Sequence, residues 1–389
     1  MVVPKWIQLY KDKSLGGDSG TETFPIKRTD QILEMILKVR AKNGATQNTA
    51  DAAAQETVQK AITKIQINSG SAIFKSYSGE LCRKIATYRN GKMPAALVTQ
   101  IAGGTWAGND NPLLGWHEYV FPINFNLKND PYGIKTGVMM PAPLYDSLDL
   151  VLDYNFTISA TAGFVTGGTN HVFDLYALVV PKEAKEVMEQ KRILVETKKH
   201  DYTTVATGDE PFKLTLDKQR FLRQLYVQVY EAGIGEGVDV TEMTLKANND
   251  VMWASKWGDL QAQNALDVGF DERCGSVYLL SISTTDEHWT RIPAVVAINA
   301  PVTEEAYTIM SYVGDKITLA ASAAAKYGHL HLYSKVIPAV AVMDFDKDGS
   351  LMAMQYQGVS DLEVLLTQGA ADGIVQILEQ SVCKPWGYN

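Results

Sequence analysis

Apolar and polar side chains alternate with a period of two over much of the chain, in short runs cut off by Gly, Pro, Asn and Asp. Residues 35–39 (MILKV), 119–125 (YVFPINF), 148–152 (LDLVL) and 173–181 (FDLYALVVP) show it in the first half. Residues 225–229 (LYVQV), 276–281 (SVYLLS), 294–298 (AVVAI) and 330–338 (LHLYSKVIP) show it in the second. Period two with β-branched and aromatic enrichment reads as strands, and the prolines end ladders because they have no N–H to donate. Helical periodicity is confined to a few places: 79–90, 258–268, an Ala/Gln/Thr-rich stretch near 43–61, and 360–381 with Ser360 as N-cap. The pattern predicts an all-β chain with short helical insertions.

Several blocks occur twice in the same order, the signature of duplication. Residues 24–26 (FPI) match 212–214 (FKL), 35–39 match 225–229, 62–67 (ITKIQI) match 240–245 (VTEMTL), and 79–81 (GEL) match 258–260 (GDL). Further on, 156–160 (FTISA) pair with 317–321 (ITLAA), and 173–181 with 330–338, which share Leu-Tyr-x-x-Val-(Val/Ile)-Pro. The interval between matching blocks only shrinks, so the net extra sequence is assigned to the first copy, including the 43–61 helix against 232–237 (AGIGEG) in the second. About eight strands per copy in two sheets make a jelly roll. The expected organisation is an N-terminal arm (1–22), a first eight-stranded jelly roll (23–182), a charged linker (183–203), a second eight-stranded jelly roll (204–345) and a C-terminal hairpin or helical extension (346–389).

Composition narrows the function. A net charge of −8 leaves no overall basic face for gripping phosphates, so sequence-specific nucleic-acid binding is not expected. The three cysteines, Cys82, Cys274 and Cys383, are odd in number and lack CxxC spacing, which fits folding in a reducing cytoplasm. No apolar run of signal-peptide or membrane-span character occurs.

Candidate chemistry is sparse. Asp344, Asp346 and Asp348, followed by Gly349, begin like a calcium loop, in which alternate carboxylates converge on a hard cation. The twelfth position is Gln355, without the bidentate glutamate, so an Asp-rich turn is the favoured reading and calcium the alternative. His329 and His331 share a strand face, but no cupin-like glutamate follows. GxSxG, HExxH and Walker A patterns are absent, so no enzymatic activity is expected. Near the N-terminus, Trp6, Ile7, Leu9 and Tyr10 are interleaved with Lys5, Lys11 and Lys13. That mixture suits an anionic membrane surface or a partner beneath the protein, or equally packing on a neighbouring subunit.

The order of elements, with the segment 212–229 (FKLTLDKQRFLRQLYVQV) leading into 240–249 (VTEMTLKANN) and the two Leu-Tyr-x-x-Val-(Val/Ile)-Pro strand ends, resembles the double jelly-roll major capsid proteins of tailless icosahedral viruses, many with an internal membrane. The resemblance implies a homotrimer whose six jelly rolls form a pseudo-hexameric capsomer in the virion shell. It also implies lattice neighbours, minor capsid and vertex proteins as partners, and possible contact of the arm with an internal viral membrane. A two-domain β-sandwich carbohydrate-binding protein or hydrolase is the alternative.

Overall fold

A computed structural model describes residues 4–42, 58–99, 116–157 save 134, 164–181, 192–214 save 206, 220–230, 236–270, 336–347 save 338, 354–355 and 359–384, together with the strands between 273 and 333. For 97–99, 236, 354–355 and the strands between 273 and 333 only the backbone is described.

The first roll contains β1 (Lys5–Ser14), β2 (Ser19–Pro25), β3 (Gln31–Lys42), β4 (Ile62–Ser69), β5 (Ala72–Tyr77), β6 (Ala96–Thr99), β7 (Trp116–Asn124), β8 (Asp149–Asn155) and β9 (His171–Val180). Helix α1 (Val58–Ala61) precedes β4, and α2 (Gly79–Asn90) follows β5. One sheet runs β1-β9-β3-β7 and the other β2-β8-β4-β5. This is the jelly-roll order: the first, eighth, third and sixth main strands face the second, seventh, fourth and fifth.

The second roll repeats that order strand for strand. It contains β10 (Ile193–Thr203), β11 (Gly208–Lys213), β12 (Arg220–Tyr230), β13 (Val240–Ala247) and β14 (Asp250–Lys256), with α3 (Glu236–Asp239) before β13 and α4 (Trp257–Val268) after β14. Six strands then intervene: β15 (Arg273–Ser281), β16 (Thr285–Trp289), β17 (Ile298–Asn299), β18 (Tyr307–Val313), β19 (Lys316–Ala321) and β20 (Lys326–Tyr333). The roll resumes with β21 (Val340–Asp344), the short β22 (Met354–Gln355), β23 (Leu362–Gln368) and β24 (Ile374–Cys383). Its sheets run β10-β24-β12-β21 and β11-β23-β13-β14.

Four expectations change. The described part of 1–22 is not a separate arm: β1 pairs along β9 and β2 along β8, and these are the first two strands of roll one. The 183–203 linker ends in β10, the first strand of roll two, whose register on β24 runs from Ile193↔Cys383 to Thr203↔Ile374. The described part of 346–389 is no appendage, because β23 and β24 complete roll two. The helix expected over 360–381 is these two strands; burial along 362–368 alternates strictly, and the apolar positions that fit a helical stripe also fit a pleat between two neighbours.

The matched strand ends are corrected too. β9 is the eighth strand of roll one, whereas β20 lies in the insertion between the fifth and sixth strands of roll two. The true counterpart of β9 is β24: β3 pairs with β9 as β12 pairs with β24. The 317–321 block falls in the same insertion, so at this point the second copy carries the longer loop. Of the helix expected near 43–61, only α1 falls within the described residues.

Helices α2 and α4 are the strongest local sign of duplication, each having 12 residues and a left-handed glycine C-cap. Ser78 caps α2, its side chain accepting from Leu81 N at 3.2 Å. The caps Gly91 (φ 69°) and Gly269 (φ 62°) lie together, and a Cβ on Gly91 would sit 2.6 Å from Val268 O. Each helix also packs against its roll's sixth strand, α2 on β7 and α4 on β21. Asn264 bonds both ways to the Val342 backbone, Nδ2 donating to O at 2.9 Å and Oδ1 accepting from N at 2.7 Å. In roll one Arg83 donates to the carbonyls of Val120 (2.7 Å), Pro94 (2.7 Å) and Ala95 (3.0 Å). In roll two the outer edge of β21, which ends its sheet, is thereby covered by α4, whereas in roll one β6 occupies that edge of β7.

Candidate functional site

The two rolls are joined along a seam. Strand β5, the edge of one sheet of roll one, pairs in parallel with β10, the edge of one sheet of roll two, through Glu196↔Lys75 and Thr197↔Ser76. A single sheet thus runs β2-β8-β4-β5-β10-β24-β12-β21 across both rolls. A second tie joins β6 in parallel to β15 through Val277↔Val98 and Tyr278↔Thr99.

The main seam is polar and buried. Lys75 Nζ lies 2.9 Å from Glu196 Oε2, with the two side chains 0% and 3% exposed, and 5.2 Å from the Phe125 ring centroid. Burial pulls the Lys75 ammonium below the ordinary lysine range, and the Glu196 carboxylate opposes that pull. From Glu196 the chain of contacts continues into roll two. Gln380 Nε2 donates to Glu196 Oε1 (2.7 Å), Arg223 Nη1 to Gln380 Oε1 (2.8 Å) and Arg223 Nε to Asp346 Oδ2 (2.6 Å). Alongside it, Tyr88 of α2 and Gln224 both donate to Asp344 Oδ2, at 3.0 and 2.6 Å. The phenols of Tyr88 and Tyr226 titrate well above their ordinary range, chiefly through burial. These groups line a cavity of about 250 Å³ between the rolls.

Asp344 and Asp346 therefore sit in the seam, bonded to Tyr88, Gln224 and Arg223, while Asp348 lies outside the described residues. Among the described residues no group of three or more His, Cys, Asp or Glu could hold a metal ion. The side chains of His329 and His331 also lie outside the described set.

The interleaved N-terminal residues all lie on β1. Ile7, Leu9 and Tyr10 pack against the core of roll one, Tyr10 edge-on to Phe24 at 5.8 Å with its hydroxyl donating to Pro25 O at 2.7 Å. Lys5, Lys11 and Lys13 are exposed, and Trp6 is 49% exposed. Sequence reasoning missed Lys75, Glu196, Arg223 and Gln380; a lysine or glutamate inside an alternating run was the only signal, and it reads as a solvent-facing position.

The same arrangement of strands is found in solved structures over essentially the whole chain. The Sulfolobus turreted icosahedral virus MCP matches at 13% identity and TM-score 0.60, covering 99% of this chain and 98% of that one. This chain has the double jelly-roll fold. The major capsid protein P2 of bacteriophage PM2 matches at 7% identity and TM-score 0.53 with 100% of both chains covered. A PBCV-1 virus capsid chain matches at 9% identity and 0.53, covering 98% and 94%. No family model and no curated protein matches the sequence.

Proposed function

We propose that the chain is the major capsid protein of an icosahedral virus, a structural rather than enzymatic subunit. Three copies would make a pseudo-hexameric capsomer that tiles the virion shell. The observation carrying this reading is the joining of two complete rolls, edge to edge, in a chain that matches capsid proteins from end to end. Two similar wedges per chain let a threefold assembly fill a position with six neighbours. On this reading its partners are other copies of itself, minor capsid and vertex proteins, and an internal viral membrane if the virion has one.

The test is the purified chain in solution and in the electron microscope. A trimer that persists on dilution and appears as a six-lobed ring supports the proposal. A stable monomer that binds glycans overturns it in favour of a carbohydrate-binding sandwich.

A further inference from the structure

The internal seam uses one edge from each roll, the fifth strand of roll one and the first strand of roll two. The equivalent edges, β14 and β1, are left over: β14 pairs only with β13, and β1 only with β9, among the described residues. Both carry large apolar side chains that remain exposed, among charged ones. Val251 and Met252 on β14 are 60% and 59% exposed, and Trp6 on β1 is 49% exposed.

Strand registers fix which residues correspond. Trp6 stands opposite Leu178, which stands opposite Glu34; Glu196 stands opposite Gln380, which stands opposite Gln224. Glu34 and Gln224 are counterparts in the duplicated third strand, next to the matched pair Met35 and Leu225. Trp6 is therefore the counterpart of Glu196, and Ile7 of Thr197. The two strands even share a register break at the same point, Gln8/Tyr10 in β1 and Lys198/His200 in β10. On the other edge Lys75 stands opposite Ile67 and Trp253 opposite Leu245, and both strands run directly into their helices. Trp253 is therefore the counterpart of Lys75, and Ala254 of Ser76.

We propose that β14 of one copy pairs in parallel with β1 of the next, repeating the internal seam between chains, with Trp253 against Trp6 and Ala254 beside Ile7. The buried ion pair of the internal seam is replaced at the seam between chains by two tryptophans. The physical reason is that a surface which must first meet water cannot be a desolvated lysine and glutamate without a large penalty, whereas partly exposed indoles gain by burial. The contact is heterologous, one edge docking on a different edge, so repeating it closes a ring when the rotation allows. This rests on the capsid reading above and names the surface through which the copies join.

The test uses the full chain. Adjacent strands place paired Cα atoms within disulfide reach. An Ile7→Cys/Ala254→Cys variant is therefore expected to cross-link under mild oxidation into a covalent trimer on denaturing gels. The off-register pair Lys11→Cys/Ala254→Cys is expected to stay unlinked. In parallel, Trp6→Glu and Trp253→Lys are each expected to raise the concentration of half-dissociation at least about tenfold by sedimentation. The double variant, which writes the internal ion pair into the seam between chains, is expected to recover part of that loss; one tenfold step corresponds to a 1.4 kcal/mol change. Circular dichroism of each variant checks that the rolls remain folded. A wild-type trimer whose Ile7→Cys/Ala254→Cys variant is folded yet never cross-links between chains overturns the pairing but not the capsid reading. A wild type that is monomeric at every concentration overturns both.

Discussion

Replacing Lys75 by Met tests whether the internal seam is held as described. The ammonium is removed while most of the side-chain volume stays, leaving the Glu196 carboxylate, 3% exposed, with a hydrogen bond from Gln380 but no cation at 2.9 Å. Breaking one side of a buried pair costs about 3–5 kcal/mol, because the remaining charge is uncompensated in a medium that solvates it poorly. For a chain of 389 residues the unfolding entropy near the midpoint is about 0.8 kcal/mol/K, so the midpoint should fall by roughly 4–6 °C if the chain unfolds as one unit. Lys75→Met/Glu196→Gln removes both charges and keeps an acceptor for Gln380; it should recover at least about 2 kcal/mol of the loss. The assay is urea unfolding followed by fluorescence and circular dichroism together, since coincident transitions test whether the two rolls unfold as a unit. A Lys75→Met protein within about 1 kcal/mol of wild type, or a double variant no better than the single, would refute the reasoning.

Other consequences are checked by similar means. Asn264→Leu strips the edge of β21 of its two amide bonds and leaves the Val342 N–H and C=O buried without them; a loss of about 1–3 kcal/mol is expected by urea unfolding. Gly91→Ala forces a Cβ into a left-handed position 2.6 Å from Val268 O, so it should destabilise by more than about 1 kcal/mol, whereas Gly70→Ala, also at positive φ but in open space, should cost less. Tyr154 donates to Glu22 Oε1 at 2.8 Å, and burial pushes its phenol from 10.0 up to about 12. The folded state therefore holds a proton that the unfolded chain has released, and stability falls as pH rises between about 10 and 12. Tyr154→Phe should flatten that part of the thermal-midpoint profile, and an unchanged slope would contradict the assignment.

Much of the fold was legible in the alternation. Strands β3, β4, β12 and β13 and helices α2 and α4 follow from period and turn residues, and their recurrence carries the duplication. What misled was local similarity between strands that only the sheet order could place: 330–338 looks like 173–181, yet β20 pairs with β15 in an insertion while β24 occupies the position next to β12. The 360–381 segment failed as a helix for a related reason, since a run such as LEVLL suits either period until its neighbours are known.

By itself the sequence determined that the protein is built of short strands, that it contains two copies of one unit, and where each unit's helix lies, because hydrophobic period and capping are local properties. Only the tertiary structure decided which strands complete each roll and that residues 5–14 are a first strand rather than an arm. It alone showed that a lysine and a glutamate 121 positions apart meet where the rolls fuse. Pairing between distant edges depends on the whole chain's geometry. The same geometry sets Trp6 and Trp253, placed on their strands by sequence, as the unpaired equivalents of that seam.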